Sequence, residues 1–433
     1  MRSDQGLMVL YKYVTMTNLV YTKEQFLQQF NLNKTISFED FSKQLAVLNG
    51  SDTSGNFVIR DYLDGFLAKW AKKDNRLQRL DTYKRKLYQM LVLEPEVALG
   101  QWFDKTASLT EDLDFYFNIP TESVLVGDTF AGRTNAKYGR VCKNINFDKF
   151  YNTRKLYAND FEYTLGLMKS MFEDFKIRNS LAAPAFFDHI CRIENSNYSQ
   201  FWVDFMVGCN RASIFNPVTY RSIIDDLFEG DTLFAPCMGW NAYQLGFYGS
   251  KFTHLVATDV IPEVVSNGKK LHEEWTRYRN NSVFEMPERK VKLYCCPSED
   301  LARATDMVAL YQGQVDAVLF SPPYYDLEIY DSQDQSLANY PDYDQWLDNY
   351  WEATVKICKQ VLKPGGRFAF VISNYRNKNK QEVNISGDMR ARAEQHLNFV
   401  RHYKVQWSAI STGRQAKKMR GGNFEDLWLF EKS

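Results

Sequence analysis

At 433 residues the chain is long enough for two domains, since single cores seldom grow past roughly 250–300 residues. With 45% hydrophobic and 24% charged residues it reads as a soluble globular protein, and a formal net charge of zero excludes a global field for nucleic acid or membrane, so any basic surface must be local. No apolar run approaches the ~20 residues that span a bilayer, and the start MRSDQGLMVLYKYVTM lacks an apolar core with a cleavage site, so no membrane partner and a cytoplasmic location are expected.

Residues 1 to about 210 read as a mainly helical domain. SFEDFSKQLAVL opens on a capping box, Ser37 with Asp40, and continues with apolar residues at helical spacing. After the polar loop NGSDTSGN comes FLAKWAKKDNRLQRLDTYKRKLYQMLVL, a helical stretch that sets Lys69, Lys72, Lys73, Arg76, Arg79, Lys84, Arg85 and Lys86 among Trp70, Tyr83 and Tyr88. Basic residues between aromatics suit a phosphate backbone and stacked bases; they equally suit a solvated face over an aromatic core. The role of this half, DNA or partner binding, stays open.

From about residue 211 the texture changes to short apolar strands alternating with helical patterns: DTLFAP, THLVATD, KVKLYCC, DAVLFSPP, RFAFVIS, then KVQWSAIS and LWLFEK. That alternation predicts an α/β fold with a mostly parallel sheet. The last two strands have no clear helix between them and are expected to form an antiparallel hairpin at one edge. Ligands of such sheets bind beyond the carboxyl ends of the strands, and the residues there are distinctive. The first strand is followed by Ala235-Pro236-Cys237-Met238-Gly239-Trp240-Asn241. The second ends at Asp259, placed to accept bonds from two sugar hydroxyls or simply to cap a helix. The third ends in CCPSEDL, and the fourth in Ser321-Pro322-Pro323-Tyr324. Pro364-Gly365-Gly366 turns into the next strand.

The motif Ser321-Pro322-Pro323-Tyr324, closing a strand with L-K-P-G-G and another strand behind it, resembles the catalytic (D/N/S)-P-P-(Y/F) motif of S-adenosylmethionine-dependent DNA amino-methyltransferases. FNPVTYRSIIDDLFEGDTLFAPCMGWN resembles that family's cofactor-tail helix, first strand and loop. DYDQWLDNYWEATVKICKQVLKPGGRFAFVISNY resembles its helix, glycine turn and strand after the motif. The resemblance covers about residues 211–433 and implies a Rossmann-like methyltransferase sheet with S-adenosylmethionine as cofactor. It implies Ser321, Pro322, Pro323 and Tyr324 as catalytic, and Phe215, Asn216, Pro236, Cys237, Gly239, Asp259, Val260, Ser298, Glu299 and Asp300 as cofactor-binding. Serine at the head of the motif favours N4 of cytosine, with N6 of adenine next, on a flipped base. The first loop departs from the family's D-P-F-x-G-x-G: Ala235 replaces the acid and Asn241 the second glycine. Pro297 stands where the third loop often has an acid, which Glu299 or Asp300 can replace. RNA or a free nucleotide as substrate, and a non-catalytic binding module, are the alternatives.

Pro236-Cys237 also resembles the Pro-Cys of carbon-5 cytosine methylation, but no Glu-Asn-Val follows, so a packed thiol is the better reading. The seven cysteines contain no C-x-x-C pair and the five histidines do not join them, so no metal is expected. Arg376, Lys378, Lys380, Arg414, Lys417, Lys418 and Arg420 fall in loops flanking the site, either as a DNA-binding rim or as solvated loops. Asp326 to Glu352 carries eight acids and no Lys or Arg, and should face away from phosphate or act as a lid that repels wrong approaches.

Overall fold

The computed structural model describes residues 22–28, 32, 36–41, 85, 88–106, 117–132, 141–142, 145–146, 214–282, 285–326, 336–377, 381–406 and 424–433. The chain divides into two compact units. One contains Leu109–Ile145 and Ile214–Ser433, the other Tyr21–Ser108 and Asn146–Ser213.

In the second unit the described elements are helical. Lys23–Leu27 starts on a capping box in which the Thr22 hydroxyl accepts the Gln25 N–H at 3.2 Å and the Gln25 side chain accepts the Thr22 N–H at 2.9 Å. It meets the helix Pro95–Thr106 through stacked Phe26 and Phe103, 5.1 Å apart, and a Lys23–Asp104 ion pair at 2.6 Å. At Ser37 the expected cap is present, its hydroxyl accepting the Asp40 N–H at 3.0 Å. Of the basic–aromatic stretch, Arg85 lies over the Phe38 ring at 4.7 Å and Tyr88 donates to the Ile36 carbonyl at 2.6 Å. Its remaining basic residues lie outside the described residues.

The first unit is built on one nine-stranded sheet. Its strands are β1 (Leu125–Val126), β2 (Thr129–Phe130), β3 (Thr232–Ala235), β4 (His254–Asp259), β5 (Lys290–Cys295), β6 (Val315–Phe320), β7 (Leu362–Ile372), β10 (Asn398–Gln406) and β11 (Phe424–Glu431); β8 (Tyr375–Arg376) and β9 (Glu382–Val383) form a separate ribbon. The order is β1-β2-β10-β11-β7-β6-β3-β4-β5. From β5 to β7 all neighbours are parallel, while β11 runs antiparallel to both β7 and β10. This is the mostly parallel, Rossmann-like sheet with an antiparallel hairpin that the strand pattern implied. Strands β3 and β6, and β7 from Phe368 to Ile372, bury nearly every residue, as strands covered on both faces must.

Three details differ from the sequence reading. The hairpin is not the edge of the sheet, because β2 pairs in parallel with β10 and β1 lies outside it. An uncovered β10 would present unpaired backbone groups; here Lys404 N–H donates to the Asp128 carbonyl at 2.8 Å. Strand β10 also begins at Asn398, well before KVQWSAIS, since pairing with β11 rather than burial defines it; its first four residues are exposed. The Pro364-Gly365-Gly366 turn is a kink inside β7, with Gly365 at φ +75° and a register shift opposite it. Among the described residues no helix is long and apolar enough to cross a membrane.

Candidate active site

Strand order reverses at β3, whose neighbours β4 and β6 lead to opposite halves of the sheet. The crevice beyond the carboxyl ends of these strands is the expected ligand position. Three of the sequence motifs meet there.

The turn after β6 is braced by residues of the two helices that flank β3. Tyr220, on the helix Pro217–Leu227, donates to the Leu319 carbonyl at 2.8 Å. Tyr243, on the helix Ala242–Tyr248, accepts the Ser321 N–H at 2.8 Å and lies 3.4 Å from the Ser321 carbonyl. The two rings stack at 4.4 Å and 11°, and Phe215 meets both edge-on at 6.1 Å. Burial pushes both phenols well above their ordinary value, so they stay protonated donors. Cys237 Sγ reaches the Ser321 carbonyl at 3.2 Å, which ties the first loop to the motif and gives this thiol a structural partner. Asn216 caps its helix by accepting the Val218 N–H at 2.9 Å.

The first loop is left-handed over three residues, Gly239 (φ +51°), Trp240 (φ +57°) and Asn241 (φ +68°). Asn tolerates this backbone; Trp does not do so readily, and such residues cost about 1–3 kcal/mol each. Asn241 is fully buried and donates to the Val264 carbonyl at 3.1 Å, so it stands in for a glycine with a compensating bond. Gly239 is demanded by φ and by the Tyr243 ring, which a Cβ would approach to 2.6 Å.

Half-buried Asp259 ends β4 with Oδ2 accepting Met238 N–H at 3.2 Å and Oδ1 accepting Ile261 N–H at 3.1 Å. With Val260 N–H as a further backbone donor, the carboxylate still has acceptor capacity left, an arrangement that fits a vicinal diol. Burial, against those backbone bonds, pushes its carboxyl up to about 6. Val260 is half-buried beside it and Pro236 is buried. Beyond β5, Ser298 is buried against Thr354, hydroxyl to hydroxyl at 2.9 Å. The carboxyls of Glu299 and Asp300 behave differently: burial pushes Glu299 up to about 7, whereas Asp300 pairs with Arg303 at 2.7 Å.

Within the Ser321–Tyr324 motif Pro322 is buried and Pro323 half-buried. The Ser321 hydroxyl and the Pro322 carbonyl have no hydrogen-bond partner among the described residues. Tyr324 is 8% exposed and held by its hydroxyl, which donates to Glu425 Oε1 at 2.9 Å, accepts Ser373 N–H at 3.0 Å and lies 2.9 Å from Ser373 Oγ. Tyr325 turns away to the Pro341 carbonyl and to the rings of Tyr343 and Trp346.

Of the basic rim only Arg376 is described, exposed in β8 opposite Glu382 of β9. Lys378, Lys380, Arg414, Lys417, Lys418 and Arg420 lie outside the described residues. In the acidic segment, Asp342 caps the turn Tyr343–Trp346, and Glu352 pairs with Lys356 at 2.7 Å and His396 at 2.9 Å. Sequence reasoning missed Tyr220, Tyr243, Ser373 and Glu425. The only linear signal was Tyr243, one helical turn after Gly239.

No protein-family model matches the chain, and no curated protein matches it. Among solved structures, TrmN from Thermus thermophilus is similar at 13% identity and a TM-score of 0.32, over 50% of this chain and 49% of its own. The match therefore spans about half the length of that protein. The N-methyltransferase NodS from Bradyrhizobium japonicum, in complex with S-adenosyl-L-homocysteine, is similar at 11% identity and TM-score 0.28, over 47% of this chain and 78% of its own. The [4+2]-cyclase SpnF is similar at 10% and 0.32, over 51% and 84%. At these scores the likenesses carry no weight for the chemistry.

Proposed function

We propose that the unit containing residues 214–433 is an S-adenosylmethionine-dependent DNA methyltransferase that modifies the exocyclic amine of a flipped base, N4 of cytosine in preference to N6 of adenine. The reading rests on one observation above all: the open acceptor pair at the end of β6. Ser321 Oγ and the Pro322 carbonyl have no partner among the described residues, although Tyr220, Tyr243 and Cys237 brace the backbone on either side.

An exocyclic amine is a poor nucleophile because its lone pair is delocalised into the ring. Ser321 Oγ and the Pro322 carbonyl, by accepting its two N–H bonds, draw that lone pair out of the plane and aim it. The prolines fix φ and lack N–H groups, so the turn cannot rewind and consume the carbonyl. Tyr324 offers the stacking surface for a base taken out of the helix. Asp259 fits the cofactor ribose, and Glu299, protonated or not near neutrality, supplies a second polar contact beyond β5. When bound, S-adenosylmethionine supplies an electrophilic methyl group.

The test is transfer of tritiated methyl from the cofactor to unmodified DNA and, separately, to RNA. Label in DNA is expected, as N4-methylcytosine in the nucleoside hydrolysate; N6-methyladenine would reassign the base and label in RNA alone the substrate. Absence of both label and cofactor binding by the intact protein would sink the reading.

A further inference from the structure

We propose that Glu425, on β11, is a positioning residue of this site that acts through Tyr324, and that its charge assists methyl transfer. The inference rests on the amino-methyltransferase reading and adds a residue that the motif does not contain.

Glu425 is 101 residues from Tyr324 in sequence, yet its carboxylate accepts the Tyr324 hydroxyl at 2.9 Å. Antiparallel β11 starts at the carboxyl end of parallel β7, so its first residues arrive at the catalytic edge of the sheet. Glu425 is 7% exposed there, and few carboxylates are buried without a specific task. With the Ser373 N–H at 3.0 Å and Ser373 Oγ at 2.9 Å, the phenol oxygen has its full complement of one donated and two accepted bonds. Three partners on one atom fix the ring plane, and Tyr375 closes on it edge-to-face at 5.8 Å and 78°.

Donation to a carboxylate also raises the electron density of the ring. As the target amine takes up the methyl, it gains positive charge. An electron-rich stacking face, with a buried carboxylate at its hydroxyl end, stabilises that charge in the transition state more than in the ground state. A carboxamide at 425 keeps the acceptor and loses the charge; a phenyl at 324 loses the whole linkage.

The experiment has two arms. In protein labelled with 3-fluorotyrosine, the resonance of residue 324 is assigned by its loss in Tyr324→Phe. Glu425→Gln should move that resonance and lower the pKa of its phenol; an unmoved resonance overturns the linkage. This arm needs neither cofactor nor nucleic acid, so its outcome is independent of whether methyl transfer occurs. In the kinetic arm, Glu425→Gln and Tyr324→Phe should each lower kcat about 10-fold or more. Cofactor Kd should stay within about 2-fold and the thermal midpoint should be preserved, and the double variant should be no slower than the worse single one. A wild-type kcat in Glu425→Gln, or losses that multiply in the double variant, would overturn the proposal. A wild-type protein that transfers no methyl group defeats the functional reading instead.

Discussion

Asp259 and Glu299 hold their protons more tightly in the folded chain than in the unfolded one, with carboxyls pushed to about 6 and about 7 by burial. A raised acid favours the fold below its unfolded value, and that contribution is lost as pH rises through the folded value. Ligand-free protein should therefore lose stability between about pH 4 and 7, on the order of 1–2 kcal/mol after allowing for solvent at these half-buried groups. Asp259→Asn and Glu299→Gln should each flatten that slope in melting curves. On the proposed reading Asp259 holds the cofactor ribose in its ionised form, so affinity for S-adenosylhomocysteine should run the other way. Calorimetry should find it tightening about 10-fold from pH 5 to pH 7.5 in the parent and hardly at all in Asp259→Asn. At the acceptor pair, Ser321→Ala should cut transfer about 100-fold with cofactor affinity unchanged; an equal loss in both would place Ser321 outside the reaction. Ser321 and Asp259 were legible because a strand end is a linear feature, a run of apolar residues stopping at a polar one. Glu425 was not, because only the antiparallel return of β11 brings it beside Tyr324.

Between residues and fold stand the braces that hold the Ser321–Tyr324 turn. Tyr243 accepts the Ser321 N–H from a helix whose start is set by the left-handed Gly239–Asn241 loop. Tyr243→Phe should therefore loosen the motif: stability falls by about 1 kcal/mol for the lost bond, and kcat falls more than cofactor affinity. Gly239→Ala adds a Cβ 2.6 Å from the Tyr243 ring at a backbone angle that alanine resists. A loss of about 2–3 kcal/mol is expected in denaturant unfolding. The loop's departures from the usual glycine pattern were visible in the sequence, but their resolution was not. That Asn241 finds the Val264 carbonyl depends on where the helix Pro262–Asn281 packs, and no local periodicity encodes it. Six of the seven long strands were legible from apolar runs, and of β10 only its end, because its exposed first residues carry no such run. The two-residue strands β1 and β2 were not, since they are too short to display alternation, although Gly127 at φ +60° between them is a tight-turn signal.

For the molecule as a whole, the segment Leu109–Ile145 belongs with Ile214–Ser433. Arg221 is buried and donates to the carbonyls of Thr121, at 2.7 Å, and Glu122, while Ser222 Oγ accepts the Val124 N–H at 2.9 Å. A fragment starting at residue 211 would leave this guanidinium buried with its carbonyl partners gone, and β10 with an open edge. Such a fragment should aggregate or melt at least 10 °C below the intact chain. Restoring residues 109–145 as a covalently joined segment should recover most of the difference, as read by calorimetry. A fragment from 211 that melts like the full chain would refute this.

The parallel bridge from Thr129 to Lys404 also dictates an order of events in synthesis. Strand β2 is made early and can pair only with the two-residue β1 until β10 emerges about 270 residues later, and β10 in turn needs β11. Closing so long a loop is slow relative to the local hairpin and the βαβ units. The sheet should thus be completed from its centre outward, with the early-made β1–β2 pair added last, once β10 and β11 are in place.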